Sequence, residues 1–131
     1  MADGRTRPLS PHLGIWKWGP HMLVSILHRV TGGALTVAGL GILTWWLLAI
    51  AQGGDSYADF TAAATHIVGR IVLIGLTWAF FQHLLSGLRH LVMDSGAGFE
   101  LRTNKRFALL TLVGALLLTT GVWALILGRA A

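Results

Sequence analysis

The run VTGGALTVAGLGILTWWLLAIAQGG, residues 30–54, decides the fold, because it holds no Asp, Glu, Lys, Arg or His. A helix needs about 20 predominantly apolar residues to cross a bilayer core. A second charge-free run, ALLTLVGALLLTTGVWALILG, covers residues 108–128. Between them, residues 64–93 are also apolar but carry His66, Arg70, His83, Arg89 and His90. The pattern predicts three membrane-spanning helices, at roughly 22–51, 64–93 and 106–128.

Composition agrees. Only 11% of the 131 residues are charged, where a soluble domain carries about 25%, and the mean hydropathy is +0.67. The absence of cysteine excludes disulfides, iron–sulfur ligation and a thiol nucleophile. The formal charge of +5 could suggest nucleic acid, but the cations lie mainly at the ends of apolar runs, so no nucleic-acid partner is expected. The expected fold class is all-α: an integral membrane three-helix bundle, one domain over 1–131. Residues 1–21 form an arm whose three prolines, Pro8, Pro11 and Pro20, prevent one continuous helix. No internal repeat is visible. The first apolar run is too long and starts too late for a cleaved signal peptide, so it reads as a retained helix.

Loop charge gives orientation. The arm and helix start hold Arg5, Arg7, Lys17 and Arg29 against Asp3. The second loop holds Arg89, Arg102, Lys105 and Arg106 against Asp94 and Glu100, whereas the first loop, 52–63, has Asp55 and Asp59 and no cation. The positive-inside rule then puts the N-terminus and second loop in the cytoplasm, and the first loop and C-terminus outside. Trp16 and Trp18 suit one headgroup layer, and Trp45 and Trp46 the other. Gly32, Gly33, Gly39 and Gly41 would permit close helix contacts, so partner helices are expected.

Two constellations carry chemistry. In the stretch Ser25-Ile26-Leu27-His28-Arg29-Val30-Thr31-Gly32, Ser25 and Arg29 share a helical face at the cytoplasmic boundary. A hydroxyl and a guanidinium there can hydrogen-bond a carbonyl of a lipid-soluble quinone, and Arg29 can equally pair with a carboxylate. The plainer reading makes Arg29 a snorkelling residue and Ser25 an N-cap. In the stretch His83-Leu84-Leu85-Ser86-Gly87-Leu88-Arg89-His90-Leu91-Val92-Met93-Asp94, positions 83, 87, 90 and 94 line one stripe. An ionisable group inside a membrane helix is a functional candidate by default, and a neutral imidazole there suits haem iron. The plainer reading is a histidine bonded to a neighbouring helix or a member of a proton relay. Gly87 would leave room for a flat macrocycle. Asp94 could accept a ring N–H or pair with Arg89. His66 reads as an outer-interface residue, and His12 and His21 as contacts of the arm. His83 lies deeper than His28, and no other histidine matches its depth. A haem with two axial histidines would therefore take the second from another subunit.

These stretches, together with Arg7-Pro8-Leu9-Ser10-Pro11-His12, resemble the cytochrome b membrane-anchor subunits of succinate dehydrogenase, respiratory complex II, in the larger of its two anchors. Order and spacing match over nearly the whole chain. The resemblance implies haem b shared with a second anchor subunit, with His83 as the iron's axial ligand and His28, Arg29 and His90 toward the propionates. It implies Ser25 and Arg29 at the site of ubiquinone or menaquinone. It also implies an iron–sulfur subunit and a flavoprotein subunit as further partners, with no catalysis by this chain alone. No transit peptide is visible, which points to a bacterial inner membrane, with a processed mitochondrial protein as the alternative. The competing readings are a quinol:fumarate reductase anchor, a haem-free structural anchor, and a proton translocator using His83, His90 and Asp94.

Overall fold

The computed structural model describes residues 18–130, and these are helical apart from short connections. Four helices form: α1, Pro20–Gln52; α2, Gly54–Thr65; α3, Ile67–Asp94; and α4, Leu101–Ala130. Helices α1, α3 and α4 are long and apolar enough to cross a membrane. The arm stretch 7–12, with His12 and Trp16, lies outside the described residues.

Helix α1 starts where Gly19 turns extended and Pro20 takes the first helical position. Proline suits that place because the missing N–H would have had no partner there. The helix therefore starts before the expected residue 22, and Ser25 lies in its second turn rather than capping it. The π-helical segment Leu35–Gly39 interrupts α1 without ending it. Of the four glycines expected to allow close packing, only Gly32 meets another helix; Gly33 and Gly41 face open space, and Gly39 meets its own Leu35.

The first loop is largely helical. Gly53 and Gly54, both at positive φ, turn the chain into the short helix α2. Its Phe60 packs edge-on against Trp45, with centroids 5.0 Å apart. Residues 64 and 65 complete α2, and His66 caps α3 by accepting the Val68 N–H at 3.3 Å. Helix α3 thus begins at Ile67. At this corner a Cβ on Gly69 would lie 2.0 Å from the Ala63 carbonyl oxygen. Gly69→Ala is expected to pry α2 from α3 and cost about 1–3 kcal/mol, the usual scale of overpacking. Lower thermal stability of the purified protein, with unchanged helix content by circular dichroism, would register it.

Helices α3 and α4 pack through small residues. Ala79, Gln82, Ser86 and Arg89 are the buried positions of α3, and Ala108, Thr111, Ala115 and Thr119 those of α4. Small side chains let membrane helices approach closely. The buried hydroxyls of Thr111 and Thr119 donate to their own helix, at Ala108 and Ala115. Trp123 Nε1 donates across to Thr77 Oγ1 at 3.2 Å. Gly96 and Gly98, again at positive φ, make the turn into α4, which starts at Leu101 and so begins earlier than the expected 106. Among the described residues the buried apolar set is only Val24, Ala49, Ala79, Ala108 and Ala115, while large apolar side chains lie exposed along all three long helices. Such a surface suits lipid and partner helices rather than water.

Candidate functional site

Antiparallel α1 and α3 meet at a layer of histidines. The His28 and His83 rings stack with centroids 4.0 Å apart and planes 9° from parallel. His90 meets His28 edge-on at 5.0 Å. Hence His28 touches both histidines of α3 and lies between them. This corrects the expectation that no histidine of this chain reaches the depth of His83. His28 sits eight residues in from Pro20 and His83 eleven in from Asp94. Three residues are only about 4.5 Å along a helix, a gap that two imidazole side chains can close.

The contact is reciprocal. Helix α1 carries His28, Thr31 and Gly32, and α3 carries His83, Ser86 and Gly87, so both read His-x-x-(Ser/Thr)-Gly. A short repeat is therefore present after all. Each hydroxyl reaches the ring of the opposite helix: Thr31 Oγ1 lies 3.3 Å from His83 Nδ1, and Ser86 Oγ 2.7 Å from His28 Nδ1. Each glycine faces the opposite ring. A Cβ on Gly32 would lie 2.9 Å from His83 Cε1, and one on Gly87 3.7 Å from His28 Cε1. Gly87 thus faces His28 within the bundle.

The His83 Nδ1 also lies 3.1 Å from the His28 carbonyl. A carbonyl only accepts, so in the neutral ring Nδ1 carries the proton and Nε2 keeps its lone pair. That arrangement, in which one ring nitrogen donates to a carbonyl and the other is free, is the usual orientation of a metal-ligating histidine. Among the described residues no group of three or more His, Cys, Asp or Glu could hold a metal ion. A single imidazole donor suits a metal that brings most of its ligands with it, as haem iron does.

The two glycines make a direct contrast. Gly32→Ala is expected to push the His83 ring aside, whereas Gly87→Ala meets only ordinary van der Waals contact. Pigment or metal bound through His83 should fall with the first substitution and hold with the second, as an absorbance titration of the two purified variants would show.

Beyond the histidines a cleft of about 370 Å³ opens between the helix ends, lined by Ser25, Arg89, His90 and Asn104 together with His21, Met22, Ile26 and Met93. Ser25 and His90 thus share one cavity. Arg29 is exposed and does not line it. Arg89 is 7% exposed and donates through Nη2 to Asn104 Oδ1 on α4, while its Nε has no partner. The expected bond to Asp94 does not form; Asp94 is exposed. Sequence reasoning passed over Thr31, Ser86 and Asn104. The repeated His-x-x-(Ser/Thr)-Gly was the available signal for the first two, and nothing in the sequence marked Asn104.

The family model for the succinate dehydrogenase/fumarate reductase transmembrane subunit matches residues 3–122. The succinate dehydrogenase cytochrome b556 subunit of Paracoccus denitrificans is 38% identical over 120 residues, 90% of this chain and 92% of that one. The subunit of the same name from Rickettsia felis is 38% identical over 117 residues, 89% of this chain and 90% of its own length. The mitochondrial cytochrome b560 subunit of Sus scrofa is 29% identical over 126 residues, 93% of this chain and 73% of that protein.

Proposed function

Because this chain belongs to the succinate dehydrogenase/fumarate reductase transmembrane subunit family, we propose that it is the haem-bearing anchor of a succinate:quinone oxidoreductase. It is an integral membrane protein and a complex II anchor by kinship. The relatives named above are succinate dehydrogenase subunits, which disfavours the fumarate-reducing alternative.

One observation carries the haem reading: the carbonyl of His28 holds the His83 Nδ1–H and leaves Nε2 free as a ligand. The cradle also fits, since the space that a Cβ on Gly32 would take is what lets the His83 ring lie there. When bound, the haem supplies one-electron transfer. The His28 ring lies parallel to that of His83, 4.0 Å away, and its Nδ1 is engaged by Ser86. His83 would hold the iron, and a second anchor subunit would supply the other ligand. His28, Arg29 and His90 would bind the haem's propionates.

Ser25 and Arg29 bind the quinone at the cytoplasmic end. The Ser25 hydroxyl donates to a carbonyl oxygen from inside the cleft, and Arg29, on the exposed face beside it, completes its contact where a partner covers the helix. A fixed cation stabilises the negative charge that develops on that oxygen. The lining His90 can hold a proton at the cleft. The other partners are an iron–sulfur subunit and a flavoprotein subunit, and the setting is a bacterial inner membrane with the N-terminus cytoplasmic and the C-terminus periplasmic.

The test is a dithionite-reduced minus oxidised spectrum of the detergent-purified native complex, with its subunits identified by mass. A b-type peak with a flavoprotein, an iron–sulfur protein and a second anchor is expected. The same partners without the peak would leave a haem-free anchor, and no partners would reopen the translocator reading.

A further inference from the structure

We propose that Thr31 is a positioning residue for His83, acting with the His28 carbonyl to fix the imidazole in its Nδ1–H form and to tune its strength as a ligand. This rests on the reading of His83 as the haem ligand. Thr31 is 2% exposed. Its hydroxyl donates its one proton along its own helix, to the Leu27 carbonyl at 2.7 Å with the His28 carbonyl at 3.2 Å. Toward His83 Nδ1, 3.3 Å away, Thr31 Oγ1 therefore accepts.

Two acceptors thus converge on Nδ1, one a hydroxyl oxygen and one the His28 carbonyl at 3.1 Å. No hydrogen bond reaches the ring from its Nε2 edge among the described residues. At the next residue, Gly32, a Cβ would lie 2.9 Å from Cε1, the carbon between the two nitrogens, so the glycine leaves the ring its space. One short stretch of α1 therefore sets the tautomer, the tilt and the depth of a ring on α3. Acceptors on Nδ1–H push electron density toward Nε2, which strengthens the bond to an oxidised metal and lowers its reduction potential. Removing the Thr31 oxygen takes away one of the two. A threonine that merely satisfied its own hydroxyl on Leu27 would leave the potential and the ligand field where they were.

The experiment replaces Thr31 in the native four-subunit complex with valine, which keeps the shape, and with serine, which keeps the hydroxyl. Haem content on dilution, the haem midpoint potential and the low-spin electron paramagnetic resonance signal are read for each. Thr31→Val is expected to weaken haem retention by about 10-fold, the lower end for loss of an outer-shell partner, and to raise the potential. Thr31→Ser is expected to match the wild type in both. Valine and wild type alike in potential and retention would overturn the proposal, as would a serine variant shifted as far as the valine. If the valine complex does not accumulate, the serine variant decides by the same two readings. Absence of b-type haem from the wild-type complex would instead overturn the underlying haem reading, an outcome seen before any variant is made.

Discussion

His83→Leu is expected to abolish the native b-type signal of the purified complex. The effect should exceed the roughly 10–100-fold cost of losing an outer-shell partner, because the substitution removes the donor atom itself. Leucine also leaves the His28 carbonyl and Thr31 Oγ1 without the N–H they accept. His28 lies 4.0 Å from the vacated ring with its Nδ1 engaged by Ser86, so any residual pigment is held by the second anchor's ligand or by the remaining His28 nitrogen. The double variant His28→Leu/His83→Leu separates the two, since only the share held by His28 falls further. Pyridine haemochrome quantification, set against flavin content to normalise for assembly, measures both. An unchanged spectrum and stoichiometry in the single variant would remove His83 from the site.

The spans were legible because their signal is additive: dozens of side chains each favour lipid, and errors of a few residues at either end leave the sum intact. The boundaries depend on single groups. Pro20 starts α1, His66 caps α3, and the chain enters α4 at Leu101. The short helix α2 was missed because residues 54–65 are few and mix Asp55, Ser56 and Asp59 with alanines, and the contact that holds it, Phe60 on Trp45, joins two elements.

The histidine site was legible in membership and not in arrangement. His83 stood out by cost alone, as an ionisable group in an apolar helix. Its relation to His28 depends on the register of two antiparallel helices, and counting from the ends of predicted spans blurs that register by about a turn. The repeat His-x-x-(Ser/Thr)-Gly holds the register physically: each glycine admits the opposite ring and each hydroxyl meets its Nδ1. Arg89 shows the same limit. Its sequence neighbour Asp94 suggested an ion pair, but the buried guanidinium turns to Asn104 across the α3–α4 turn.

Arg29→Ala is expected to lower succinate:quinone reductase activity by about 10²-fold while sparing succinate oxidation by an artificial acceptor. The first effect follows from losing a cation beside the oxygen that gains negative charge, which on the scale of one preorganised donor is worth about 10²–10³-fold. The second follows from the proposed arrangement, in which a flavoprotein subunit would oxidise succinate and would need nothing from α1. Arg29 is exposed and lies one turn from Ser25, which lines the cleft, so alanine leaves no buried group unpaired and the bundle should assemble normally. Arg29→Lys separates charge from geometry. A lysine keeps the cation but loses the planar fork, so partial activity would assign the role to charge, and none would assign it to the bidentate contact. Steady-state assays with both acceptors on the same preparation give the ratio directly. Equal loss of the two activities would mean that Arg29 holds the complex together rather than the quinone in place.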